Sequence, residues 1–439
     1  MKAWTRNLLL LPTIIGALGL ILADSGMAQT FKTLHSFTTG GYVSSGKYTN
    51  SDGANPIGRL VLSGKTLYGT AQQGGSSGDG TVFALNTDGT AFTNLHTFYY
   101  RGDGAYPAAG LILSRSTLYG AAQFAGSAGA GTVFKLHTDG TAFTTLHDFT
   151  AASDTTTNTD GGYPLGELIL SGATLYGTAA AGAGTSYRGM VFKVKAHGRG
   201  FMPLHTFTIP DIYSSTNSDG ANPEAGLTLS GKILYGTARR GGNSDNGTVF
   251  ALKTDGTAFA TLHSFTATSS LNPPFTNSDG AGPIAGVILS GNALYGTTYG
   301  GGNSGNGTVF KVNTDGTGFT TLHYFTALSG IDNGTNSDGA NPWGGLALSG
   351  NTLYGTASHG GSSANGTVFA LNTDGTGFVT LHSFTVRPYG SANGDGAYPH
   401  GLILSDNILY GTTYEGGDSG NGTAFSISLP ETKGVSPAY

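Results

Sequence analysis

The chain reads as an all-β protein, a seven-bladed β-propeller of four-stranded antiparallel blades, and three features carry that reading. The tripeptide Leu-Tyr-Gly recurs at Leu67, Leu118, Leu175, Leu234, Leu294, Leu353 and Leu409, and regular recurrence on this scale marks a repeat architecture. Each repeat holds four short runs rich in Val, Leu, Phe, Tyr and Thr between Gly-rich turns, the pattern of short antiparallel strands. The fourth run, Phe-x-x-Leu-His-x-Phe, starts at Phe31, Phe92, Phe143, Phe201, Phe259, Phe319 and Phe378. Its first copy precedes any first run, and the last repeat stops after its third. An orphan strand at one end and an incomplete blade at the other complete each other only in a ring, which leaves no sheet edge at the seam. Residues 31–37 are therefore expected to pair beside 423–428. An open β-solenoid is the competing architecture, but neither end carries a capping sequence.

The elements follow in order. Lys2 and Arg6 precede an apolar stretch from Leu8 to Ala23, and Gly26-Met27-Ala28 places small residues before Gln29. Residues 1–28 thus read as a secretory signal peptide, and the apolar stretch is short for a membrane span. The propeller is expected over 29–429, with a polar tail at 430–439. In the first repeat, Asp52 to Pro56 leads into a strand at 60–62, a Ser63-Gly64 turn and a second strand at 66–71. A Gly/Ser loop precedes the third strand at 81–85. The Asn86-Thr87-Asp88-Gly89 turn then opens the fourth at 92–98, since Asp-Gly supplies the positive φ of a tight hairpin. The Tyr68-type tyrosines read as core residues, and the Gly69-type glycines as close approaches between neighbouring sheets.

Composition narrows the function classes. Gly and Pro make up about a fifth of the 439 residues, against roughly 12% in average usage. Only 10% are charged, the net charge is −5 and there is no Cys. That excludes a basic nucleic-acid surface, disulfides and thiolate metal sites. No nucleic-acid partner, no stable membrane span in the mature chain and no cofactor are expected. The expected product is an exported monomer, soluble after cleavage, in the periplasm or outside the cell.

The string Asp-Gly-Ala-Asn-Pro…Leu-Tyr-Gly-Thr…Gly-Gly…Asn-Gly-Thr-Val-Phe-x-Leu…Leu-His-Ser-Phe resembles the GloVer (Gloeobacter/Verrucomicrobia) tandem repeat of exported bacterial proteins, over essentially all of 31–429. The resemblance implies an extracellular setting and brings no established activity. Members often end in a C-terminal sorting signal, whereas this chain ends in a polar stretch without a hydrophobic tail.

Several residue sets invite chemistry. Asp52, Asp160, Asp219, Asp279, Asp338 and Asp395 each follow an Asn by two residues, while Asp103 follows Arg101. Asn-x-Asp-Gly offers oxygen ligands on a tight turn, but it lacks the further carboxylates of a calcium loop. An Asx-type turn, needed once per blade, accounts for the recurrence by itself, so no metal is expected and cation binding at these Asp residues is the alternative. The histidines His35, His96, His147, His205, His263, His323 and His382 sit one per outer strand, on the same face as the following Phe. They are expected to pack between blades rather than share an ion. Residues that differ between repeats point to a ligand, because a scaffold asks the same of every blade. Two such positions follow Leu-Tyr-Gly-x-x: Gln72 and Gln73, Gln123 and Phe124, Ala180 and Ala181, Arg239 and Arg240, Tyr299 and Gly300, Ser358 and His359, Tyr414 and Glu415. Aromatic, amide and Arg side chains on one face suit a glycan or similar polymer, and loops on a rigid scaffold are where binding usually resides. The expected role is therefore a non-catalytic binding or structural module, with pure scaffolding the reading if those loops form no pocket. For catalysis the candidates are Glu167 and Glu224, near the channel ends of adjacent blades, where paired carboxylates would serve glycoside hydrolysis.

Overall fold

The computed structural model describes residues 29–430 apart from 45, 151–158, 183–187, 209–215, 270–273, 331–333 and 388–391. The signal-peptide segment, Asn158 and residues 431–439 lie outside the described residues.

Seven antiparallel sheets stand in a ring as the blades of a β-propeller. In blade 1 the strands run Val61–Ser63, Thr66–Gln73, Thr81–Asn86 and Thr93–Thr97, paired in that order. Each later blade repeats the order, and residues at the start of the first strands, such as Ile112, Ile169 and Ile288, line the central channel. The ring closes as the sequence demands. Thr30–Ser36 pairs antiparallel with Thr423–Ser428 and completes a blade whose inner strands are Asn393–Ser405 and Ile408–Gly417. The segment after this closing strand adds a small hairpin, Gly41–Tyr42 with Tyr48–Thr49, that the repeat pattern does not announce. Among the described residues the only helical element is a 3-10 turn at Gly242–Ser244, and no helix is long and apolar enough to cross a membrane.

Burial follows the gaps between sheets. Among the described residues the buried side chains form seven clusters, one at each blade-to-blade interface. The cluster at the seam joins Leu34, Phe37 and Tyr410 of blade 7 to Leu60, Leu67 and Phe83 of blade 1. Burying Phe-sized side chains contributes about 1.5–3 kcal/mol each, so each interface is a small core of its own.

Every outer strand carries a β-bulge at the Leu before its His. In the closing strand Thr33 pairs with Phe425 and His35 with Ala424, leaving Leu34 as the extra residue. A one-residue slip turns the following side chains to the other face. Phe31 therefore packs toward blade 6 while Phe37, six residues on, packs toward blade 1. The glycine after each Tyr has a different role from the one expected. A Cβ on Gly69 would lie 2.5 Å from Phe83 Cζ and 2.7 Å from Leu60 Cδ2. It makes room for the ring of its own cross-strand partner, within one blade rather than between sheets.

Candidate functional site

The Asp-Gly loops are blade joints. Asp52 accepts from His35 Nε2 at 2.9 Å, from the Thr38 N–H at 3.1 Å and from the Thr38 hydroxyl. Asp160, Asp219, Asp279, Asp338 and Asp395 repeat the arrangement with His147, His205, His263, His323 and His382. Asp103 pairs with His96 at 2.6 Å. Asn50 supplies the Asx geometry: its Oδ1 accepts from Gly53 and Gly75 N–H groups at 2.9 and 2.8 Å. Burial raises the pKa of Asp52, but the bonds from His35 and Thr38 overcome it and hold the carboxyl below the usual range. Each imidazole also lies flat on a Phe of the next blade, His35 on Phe92 at 3.9 Å and, across the closed ring, His382 on Phe31 at 4.0 Å.

The loops that carry the residues differing from blade to blade lie on one face of the ring, and three of those residues line the central channel, a cavity of about 860 Å³. The two loops of that face adjoin in each blade, as the Ala105–Phe124 and Ala340–His359 bridges record. The hairpin turns meet on the opposite face, where Thr87 N–H donates to Lys65. Gln72, Gln123 and Arg239 line the channel together with Arg59, Glu167, Glu224, Trp343 and His400. Arg239 holds Glu224 at 3.1 Å, and Arg59 of blade 1 reaches Glu167 of blade 3 at 3.4 Å. Blade 2 has Gly110 at the equivalent position, where a Cβ would come within 3.3 Å of the Arg59 Cβ. Burial pushes the Glu167 carboxyl up, and Arg59 opposes the shift.

Blades 5 to 7 supply rings instead. Tyr299 meets Trp343 edge-on at 5.5 Å, Trp343 meets His400 at 5.6 Å, and His400 meets Tyr414 at 5.9 Å. His400 is there because blade 7 is one residue short: Pro399-His400-Gly401-Leu402 stands where blade 1 has Pro56-Ile57-Gly58-Arg59-Leu60. The His400 carbonyl accepts from the Thr356 hydroxyl at 2.7 Å. Ala109, Ala225 and Ala285 do the same for Thr70, Thr178 and Thr237. An imidazole thus occupies the place of a methyl. It is 5% exposed, its Nδ1 has no hydrogen-bond partner among the described residues, and burial together with His359 holds its pKa at about 3.

The second residue of each variable pair lies one step outward. Gln73 and Glu415 pair with Ala54 and Ala397 of the Asp-Gly loops, and Phe124, Arg240 and His359 bridge to Ala105, Ala221 and Ala340. Glu415 is held by Arg387, which lies over the Tyr398 ring at 4.8 Å and donates to its hydroxyl at 2.9 Å. His359 sits 5.0 Å from the Tyr398 ring, and burial lowers its pKa. Sequence reasoning missed Arg59, Trp343 and His400. The signal was present in the residues after each motif proline, which also change from blade to blade.

A seven-bladed propeller with one asymmetric mouth is the class of protein that these features define. The chain belongs to the Gloeobacter/Verrucomicrobia repeat family, which it matches over residues 20–212, 103–275, 154–330 and 271–437. No curated protein matches it in sequence. Among solved structures it is similar to an oligogalacturonate lyase from Vibrio parahaemolyticus. That pair is 10% identical, covers 93% of this chain and 99% of the lyase, and has a TM-score of 0.51. An oligogalacturonate lyase in complex with manganese is 12% identical, with 92% and 98% of the two chains covered and a TM-score of 0.51. At these identities the likeness is one of fold.

Proposed function

We propose that the protein is an exported, monomeric, non-catalytic binding module that holds an extracellular glycan or similar polymer at the channel mouth. One observation carries this reading. Trp343 and His400 line one cavity with Gln72, Gln123 and the Glu224–Arg239 pair, and Tyr299 and Tyr414 extend these two rings into an arc. A pyranose presents apolar C–H faces and a belt of hydroxyls, so rings on one side and polar groups on the other match both. Both channel carboxylates are matched by an Arg, which favours an uncharged saccharide over an acidic one. The test is a glycan and polymer array on the chain from Gln29 onward, which contains all seven blades. Trp343→Ala is expected to weaken the strongest hit at least tenfold, about 1.4 kcal/mol. Retention of full binding by that variant contradicts the assignment.

The second reading is a carbohydrate-active hydrolase that uses Glu167 and Glu224. What favours it is the raised pKa of Glu167 on the channel wall, since a general acid must hold its proton near neutral pH. It requires that the bound saccharide be cleaved and that Glu167→Gln abolish cleavage.

A further inference from the structure

The position before each motif proline is a joint between blades. It is occupied by Asn55, Tyr106, Tyr163, Asn222, Gly282, Asn341 and Tyr398, all with φ between 54° and 64°. Its N–H donates to a loop carbonyl of the preceding blade, as Tyr106 does to Asp79 and Tyr163 to Ala130. Gly and Asn enter this left-handed region with little strain, whereas a bulky aromatic there is an outlier. The asparagines do more. Asn55, Asn222 and Asn341 each donate their side-chain amide, at 2.9 Å, to the carbonyl of Tyr414, Ala180 or Tyr299 in the neighbouring blade. A tyrosine has no amide to donate, so Tyr106, Tyr163 and Tyr398 forgo this staple and keep the strain. Tyr398 is compensated by Arg387. Tyr106 and Tyr163 instead meet Phe124, at 5.8 and 5.1 Å between ring centroids.

Strain retained where a less strained residue serves other blades is a mark of function. Tyr163 is 38% exposed, and Phe124 follows Gln123, which lines the channel. The three rings therefore run from the joint of blades 1 and 2, at Tyr106, through Phe124 of blade 2 to the joint of blades 2 and 3, at Tyr163, next to the channel wall at Gln123. Building on the glycan-binding reading above, we propose that Tyr106, Phe124 and Tyr163 form a stacking platform for further sugar units of an extended chain, so that the partner is a polysaccharide and not a free monosaccharide. Stacking fits this place because it needs rings and no fixed charge.

The test is affinity electrophoresis of the chain from Gln29 onward through gels containing xylan, dextran or laminarin, paired with calorimetric titration of the matching trisaccharides and thermal melting. Tyr163→Asn is expected to raise Tm by roughly 1–3 °C, through relief of strain and a restored staple. It is expected to weaken retardation by the polymer at least fivefold and to leave trisaccharide binding within twofold. Phe124→Ala is expected to lose the same polymer retardation without the gain in Tm. If the wild type is retarded by a polymer, Trp343→Ala abolishes this and Tyr163→Asn does not weaken it, the mouth stands and the platform is overturned. A fall in Tm of Tyr163→Asn marks the ring as a structural contact and also overturns it. If the wild type is retarded by none of the three polymers, the glycan reading fails and the platform with it.

Discussion

His400 shows how one deleted residue changes the chemistry of a repeat. With its pKa held at about 3, the imidazole is neutral near pH 7, and it serves as a ring rather than a charge. The consequence for stability has a definite sign. An unfolded histidine takes its proton near pH 6.5, whereas the folded one does so only near 3. Stability therefore falls as pH drops through the window between these values. His400→Ala, which installs the side chain of Ala109, Ala225 and Ala285, is expected to flatten the decline in Tm between pH 6.5 and 4. An unchanged slope would show that other groups set the acid response. Aligning the blades of the sequence with one another reveals the missing residue, but that the shortened segment buries the imidazole is a matter of three-dimensional packing that the spacing alone does not state. Of the variable pairs, Gln72, Gln123 and Arg239 stand on the channel wall, and it was their difference from blade to blade against a repeating scaffold that singled them out.

At the scale of the element, the outer strand does two jobs. Its bulge faces Phe31-type and Phe37-type rings to opposite neighbours, and its His anchors the Asp of the next loop. Strand order, turns and the closing pair were readable from the motifs. The bulge was not, because strict alternation and a one-residue slip give the same motif. The His–Asp bond was also hidden, since the two residues stand 13 to 17 apart in most repeats and nothing in their spacing links them. The joint predicts an acid response of its own. Asp219 is held below the usual carboxylate range, burial being outweighed by bonds from His205 and Thr208. Its contribution is thus present above about pH 4 and lost as pH falls through the lowered value. Asp219→Asn is expected to cost about 1–3 kcal/mol at pH 7, seen as a lower midpoint in urea. The gap from wild type should narrow below pH 4. An Asn variant as stable as the wild type at pH 7 would contradict the joint.

For the whole molecule, seven blades of one repeat close into a ring, and several of the residues that depart from the repeat meet on the channel wall. On the channel wall the polar side chains come from blades 1 to 4, whereas Trp343 and His400, with Tyr299 and Tyr414 beside them, come from blades 5 to 7, so the wall is amphipathic around its circumference. Only two tryptophans occur in the chain, Trp4 and Trp343. A protein that starts at Gln29 therefore reports from the mouth alone. The direct measurement is its tryptophan emission during titration with the glycan that the array selects. A saturable shift or quench is expected, with a midpoint that matches the independently measured Kd and that moves at least tenfold to higher ligand in Arg239→Ala. Binding of that glycan with Trp343 emission unchanged throughout would place the site elsewhere on the ring and contradict the account.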